Sequence, residues 1–198
     1  LGMDIWQDDG WTPIDADETQ LARVQNVLQT LHKAGLMRSE SYENVLAAMQ
    51  DTEHYGWRIM TAPGGLTQFS LSDTYAAHEE TEAEDTYSSY PIYLNVTLSY
   101  DDMPLFLNYQ NREESWGDAA AQQNLQSYCA ALGLDSFADW QVLNWPHSAQ
   151  SCGAAAYSET AQVYLVVNYD DGITLSAVSM TPKSFAEFNR VFSKEDGT

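Results

Sequence analysis

Basic residues are scarce in this chain. Eight Lys and Arg stand against 29 Asp and Glu in 198 residues, a formal net charge of -21 with an isoelectric point near 4.1. Binding to a phosphate backbone rests on Lys and Arg displacing counterions, so a charge of this sign and size excludes nucleic acid as a partner. The same field attracts cations, basic peptides and cationic glycans, although solubility alone also accounts for it. Long apolar runs are missing as well. None approaches the ~18 residues that span a bilayer, so this segment is not expected to insert into a membrane, and no secretory signal pattern opens it. Because the first residue is Leu1 rather than Met, the chain reads as processed or truncated, and an anchor upstream of Leu1 stays open. Cysteine is limited to Cys129 and Cys152. A bridge between them would be worth about 3 kcal/mol in the chain-entropy view; two unpaired core thiols are the equal alternative. Gly-rich phosphate loops, dinucleotide fingerprints and nucleophile elbows are also lacking, so no cofactor is expected.

What is present suffices for a substantial core: 44% apolar residues, six Trp and twelve Tyr. Residues 1–14 read as an irregular lead-in. Asp15, with Glu18 three residues on, suits a capping box for a helix carrying Leu21, Val24, Val27, Leu28 and Leu31, which Gly35 and Leu36 terminate. A shorter helix after Ser39 completes a helical hairpin to residue 50. Strands over 55–61 and 66–71 flank the turn at Pro63, Gly64 and Gly65, and residues 73–90 form an acidic exposed loop. Ile92, Leu94, Val96, Leu98 and Tyr100 then alternate with Tyr93, Asn95, Thr97 and Ser99, the period of a sheet packed on one side. Leu105, Leu107 and Tyr109 return. A helix begins near Ser115 and Asp118 and ends at Gly133 and Leu134. Strands follow over 140–145, 150–157, 163–169 and 173–180, before a last helix from Thr181 and Pro182 with Phe185, Phe188, Val191 and Phe192 on one stripe.

Helices and antiparallel hairpins in blocks, without βαβ alternation, specify an α+β fold with one or two sheets packed on helices. Residues 15–112 and 113–198 show a similar order, each with a strand running into Tyr, Asp and Asp. This predicts two similar helix-plus-four-strand halves, either as an internal repeat or as one continuous domain. The tandem order is similar in architecture to some secreted inhibitor proteins whose concave sheet grips a partner, a likeness that covers no motif residues.

Catalytic and metal constellations are weak. His78, Glu79 and Glu82 lack the second His of a zinc-protease helix. Asp15 and Asp17 lack the Gly and Glu of a calcium loop. Cys152 with His147 has the residue types of a thiol nucleophile but no spacing that joins them. Carboxylate pairs for a hydrolase are too abundant to discriminate, and the sequon at Asn95 falls within a strand. No catalytic, metal or cofactor residue is therefore expected. The sequence favours a non-catalytic binding domain, extracellular or on a cell surface, for a protein, peptide or glycan ligand. Its candidate surface is Tyr93, Tyr164 and Asn168 on the polar strand faces, with Asp101, Asp102, Asp170 and Asp171 at the hairpin tips. A hydrolase and an inhibitor-like protein are the alternatives.

Overall fold

Local signals set the helices. Helix α1 (Glu18–Lys33) is capped by Asp17, whose backbone is extended and whose side chain accepts from the Gln20 amide at 2.9 Å. The expected cap at Asp15 is thus corrected by two residues. Thr12–Ile14 is drawn into a strand, which leaves Asp15 and Ala16 as the link into the helix. The Schellman endings are as expected. Gly35 and Gly133 take φ of 85° and 65°, and the amides of Leu36 and Leu134 reach back to Leu31 and Cys129 at 3.0 and 3.1 Å. Helix α2 (Ser39–Gln50) completes the helical hairpin, α3 is Ala121–Ala131, and α4 (Pro182–Phe192) starts at the proline, as read.

The structure, a computed structural model, describes residues 2–4, 10–73, 91–116, 121–134, 140–143, 151–170 and 173–192, without the side chains of 121, 122, 151, 152, 191 and 192. Of the acidic loop expected over 73–90, Asp73 is instead the buried last residue of a strand and 74–90 lie outside these residues, as do the helix start at Asp118 and the turn at Asp171 and Gly172.

Among the described residues nine strands form one antiparallel sheet: β1 (Thr12–Ile14), β2 (Tyr55–Thr61), β3 (Thr67–Asp73), β4 (Ile92–Leu98), β5 (Pro104–Asn111), β6 (Gln141–Leu143), β7 (Ser151–Ser158), β8 (Val163–Asp170) and β9 (Thr174–Met180), in the order β1-β2-β3-β4-β5-β9-β8-β7-β6. The lead-in reading of residues 1–14 is corrected here too. Thr12, Pro13 and Ile14 pair with Thr61, Met60 and Ile59, and Met3 bridges Met180, partners that no local pattern could name. β5 pairs with β9, so both hairpin blocks share one sheet.

Period-2 alternation gives the sheet two unlike faces. Ile59, Phe69, Leu94, Val96, Leu107, Tyr109, Leu165, Val167 and Leu175 form the main core with Val24, Leu28 and Leu31 of α1, Val45 of α2 and Leu125 and Tyr128 of α3. At roughly 1.5–3 kcal/mol for each fully buried large side chain, this layer supplies most of the driving force. α4 lies on the opposite face. Phe185, with Phe188, packs on Ala155, Val166, Val178 and Met180, a smaller second cluster.

Candidate binding face

The register aligns polar side chains into a row on the face opposite α1–α3. Arg58 of β2 faces Ser70, Ser70 faces Asn95, Asn95 faces Asn108, Asn108 faces Ser176, and Ser176 faces Asn168 of β8. Each is set there because its chain neighbours, such as Leu94 and Val96 around Asn95, turn into the main core. On one side of this row run Tyr93, Gln110, Thr174 and Asp170; on the other run Thr97, Phe106, Val178 and Val166. The Asn95 amide nitrogen donates to the Tyr93 hydroxyl at 3.3 Å. The side-chain carbonyl oxygens of Asn95 and Asn108, a directly opposed pair, are enclosed and have no donor among the described residues. An enclosed acceptor left without a donor costs about 1–3 kcal/mol, so this pair stands out from an ordinary solvated face.

Tyr93 and Asn168, both expected at the surface, share this face. Tyr164 shares it too, but is covered: Phe185 of α4 stacks on its ring with centroids 3.8 Å apart and planes 7° apart, and Tyr157 lies 4.4 Å away. The hairpin acids are not brought together. Asp101 and Asp102 precede Pro104 at the start of β5, whereas Asp170 pairs with Thr174, which faces Gln110 at the end of β5. Six residues of strand at about 3.4 Å each put the tips about 20 Å apart along the sheet. Convergent carboxylates are therefore not formed by Asp101, Asp102 and Asp170; Asp171 lies outside the described residues. Asp102, at φ 61°, accepts from Arg23 of α1 at 2.7 and 2.9 Å, and Asp101 accepts from Ser99.

The likeness of the two Tyr, Asp, Asp stretches is also corrected. Tyr169 sits within β8 at 2% exposure, stacked on Trp116, whereas Tyr100 lies past the end of β4 at 80% exposure. β4 ends at Leu98, and the turn that follows, closed by the Asp102 amide on the Ser99 carbonyl at 3.1 Å, carries Tyr100 away from the core row.

One polar cluster was not anticipated. Glu114, 7% exposed, accepts from Ser41 (2.6 Å), Tyr109 (2.6 Å), Asn111 (2.7 Å), Asn44 (3.0 Å) and Arg38 (3.0 Å). The Arg38 guanidinium also lies 4.0 Å from the Trp116 ring centroid, and its salt bridge to Glu114 joins α2 to the segment after β5. Burial pushes the Glu114 carboxyl upward, but the hydrogen bonds from Ser41, Tyr109, Asn44 and Asn111 outweigh it and hold the group below its ordinary value. Tyr109 is pushed well above the phenol range by burial and by donating to Glu114. Its acceptor sites are filled by donors, so Glu114 is a structural anchor rather than a general base. Nothing in the spacing of residues 111–116 could have named donors 70 and 73 positions away on α2.

Among the described residues no group of three His, Cys, Asp or Glu is placed to hold a metal. Cys129 is a free, buried thiol, which decides against the disulfide with Cys152, and burial pushes its pKa up, away from thiolate. His78 and His147 and the Cys152 side chain lie outside the described residues. Compared with protein-family models, curated proteins and solved structures, the chain matches none of them.

Proposed function

We propose that this protein is a non-catalytic binding module, extracellular or displayed on a cell surface, whose contact surface is the polar sheet face around Asn95 and Asn108. The unbroken row of carboxamide and hydroxyl side chains Ser70, Asn95, Asn108, Ser176 and Asn168 across five consecutive strands carries the reading, since a sheet face that is polar across its middle is not built to be sealed by an apolar layer. Acidity and the scarcity of Lys and Arg support a partner other than a polyanion. The short edge strands β1 and β6 support a face, rather than an edge, as the contact. Two similar halves, meeting where β5 pairs with β9, would each lend strands to this surface; the order β2-β3-β4-β5 followed by β9-β8-β7-β6 supports that duplication.

Hydrogen–deuterium exchange against a panel of soluble glycans and basic peptides tests the reading. Added protection in β4, β5 and β9 upholds it. Protection confined to α1–α3, or none with any member of the panel, refutes it.

A further inference from the structure

We infer that α4 is a latched cover over Tyr157 and Tyr164, that residues 2–4 are its latch, and that the cover opens while the main core stays folded.

The cover is separable. Phe185 and Phe188 pack on Ala155, Val166, Val178 and Met180, a cluster that shares no residue with the main core under α1–α3. Thr181 is the single residue between the end of β9 and the start of α4, so the helix can swing about it and leave the β5–β9 and β8–β9 ladders in place. Such an opening exposes only the smaller cluster and therefore costs less than unfolding the whole chain. At 11 residues α4 is too short to be firmly helical in water, so whatever holds it down also keeps it folded.

The latch is fitted to its place. β5 pairs with β9 no further than Val178, and Met3 takes up the ladder beyond that point, beside Met180. Its amide donates to the Ser179 carbonyl at 2.7 Å and its carbonyl accepts from the Thr181 amide at 3.3 Å. Gly2, at φ 119°, lies so close to the sheet that a Cβ would come within 3.0 Å of Val163 Cγ2 and 3.2 Å of the Thr181 nitrogen, so a side chain there is strained by conformation and by contact alike. Asp4 then reaches the first turn of α4. It accepts from the Ser184 hydroxyl at 2.5 Å and lies 3.5 Å from the Lys183 ammonium, at the helix end that favours negative charge. Ser184 is fully buried, so loss of that acceptor is costly, whereas Lys183 is mostly exposed and adds little.

The rings under the cover lie on the same strand face as Asn168. Phe185 stacks on Tyr164, and Tyr157 stands beside it on β7. Lifting α4 adds both tyrosines and Val166 to the exposed part of that face, so the latch sets how far it extends. Anything that binds the uncovered rings draws the open state.

Amide exchange of the whole chain, followed by NMR at rising but sub-denaturing urea, tests the proposal. Amides of Phe185–Arg190 are expected to exchange faster than those of β4 and β8 and with a smaller urea dependence, because less surface is exposed on opening. Asp4→Ala should speed α4 exchange about tenfold and keep that small urea dependence. Asp4→Asn, which retains an oxygen for Ser184, should recover most of the protection, and Lys183→Ala should change the rate less than Asp4→Ala does. Gly2→Ala strains the latch without touching α4 and should also speed its exchange. Nitration of Tyr164, mapped by mass spectrometry, should rise in the same variants. Exchange of α4 with the rate and urea dependence of β4 and β8 overturns the proposal. So does α4 exchange unchanged in both Asp4→Ala and Gly2→Ala, or faster exchange with no gain in Tyr164 nitration.

Discussion

Replacing Glu114 by Ala should lower the unfolding free energy by about 3–5 kcal/mol. The magnitude follows from what the carboxylate leaves behind. Ser41, Tyr109 and Asn111 are buried donors that would lose their acceptor, at about 1–3 kcal/mol each. Asn44 and Arg38 contribute less, since the Arg38 side chain is 43% exposed and regains water. Against a typical domain stability of about 5–15 kcal/mol this is a large fraction. In a chain of this size it corresponds to a fall in Tm of about 10 °C. Urea unfolding followed by Trp fluorescence measures it, with an unchanged m-value as the check that the denatured state is the same. Glu114→Gln keeps the shape and removes the charge, so an intermediate loss is expected. The pH dependence has a fixed sign. The folded carboxyl lies below its unfolded value of 4.5, so its contribution is full above that value and is lost as pH falls through the folded value. The gap between the parent and Glu114→Gln should therefore be constant at neutral pH and narrow in acid. A loss below about 1 kcal/mol for Glu114→Ala would refute the reasoning.

Asp102 holds a left-handed backbone and an exposed ion pair with Arg23. Asp102→Ala keeps the strain and loses the pair, for about 1 kcal/mol, whereas Asp102→Gly relieves the strain and should be near neutral; equal melting temperatures for the two would sink this account. In a Cys152→Ser variant the remaining thiol, Cys129, should react with a thiol reagent on unfolding and hardly at all when folded, because it is buried. Rapid labelling of the folded chain would contradict that burial. Phe185→Ala should cost about 3 kcal/mol and make α4 an early site of proteolysis, since Phe185 is the buried anchor on Tyr164. Unchanged cleavage would mean that other contacts hold the helix.

Much of the fold was legible because its signals are local. The Gly35 and Gly133 endings, Pro182 at the start of α4 and the alternation over Ile92–Leu98 are each decided within a few residues. What failed depended on pairing. Pro13 reads as a loop residue until Met60 is known to face it, and Pro is tolerated there because β1 is an edge strand. Tyr100 and Tyr169 stand in near-identical sequence, yet β4 stops at Leu98 while β8 runs on to Asp170, which leaves one in solvent and the other in the core. A period-2 pattern sets which residues share a face; it does not say where the strand stops.

The same division runs through the candidate site. Alternation alone assigns Tyr93, Asn95 and Asn168 to polar faces, but the order that seats β9 between β5 and β8 is what brings Asn108, Ser176 and Asn168 into one row with Asn95. Tyr164 carries the same alternation and is lost to the surface, because α4 folds back over β8 and β9. Burial of α4 is explained by its own apolar stripe, and the rest of that face carries no comparable stripe to recruit a cover. Apolar residues thus concentrate where α4 lands, and carboxamides and hydroxyls where the described helices do not reach. Such a split within one face is what a sheet needs if one part is to hold the chain together and the other is to meet a polar partner.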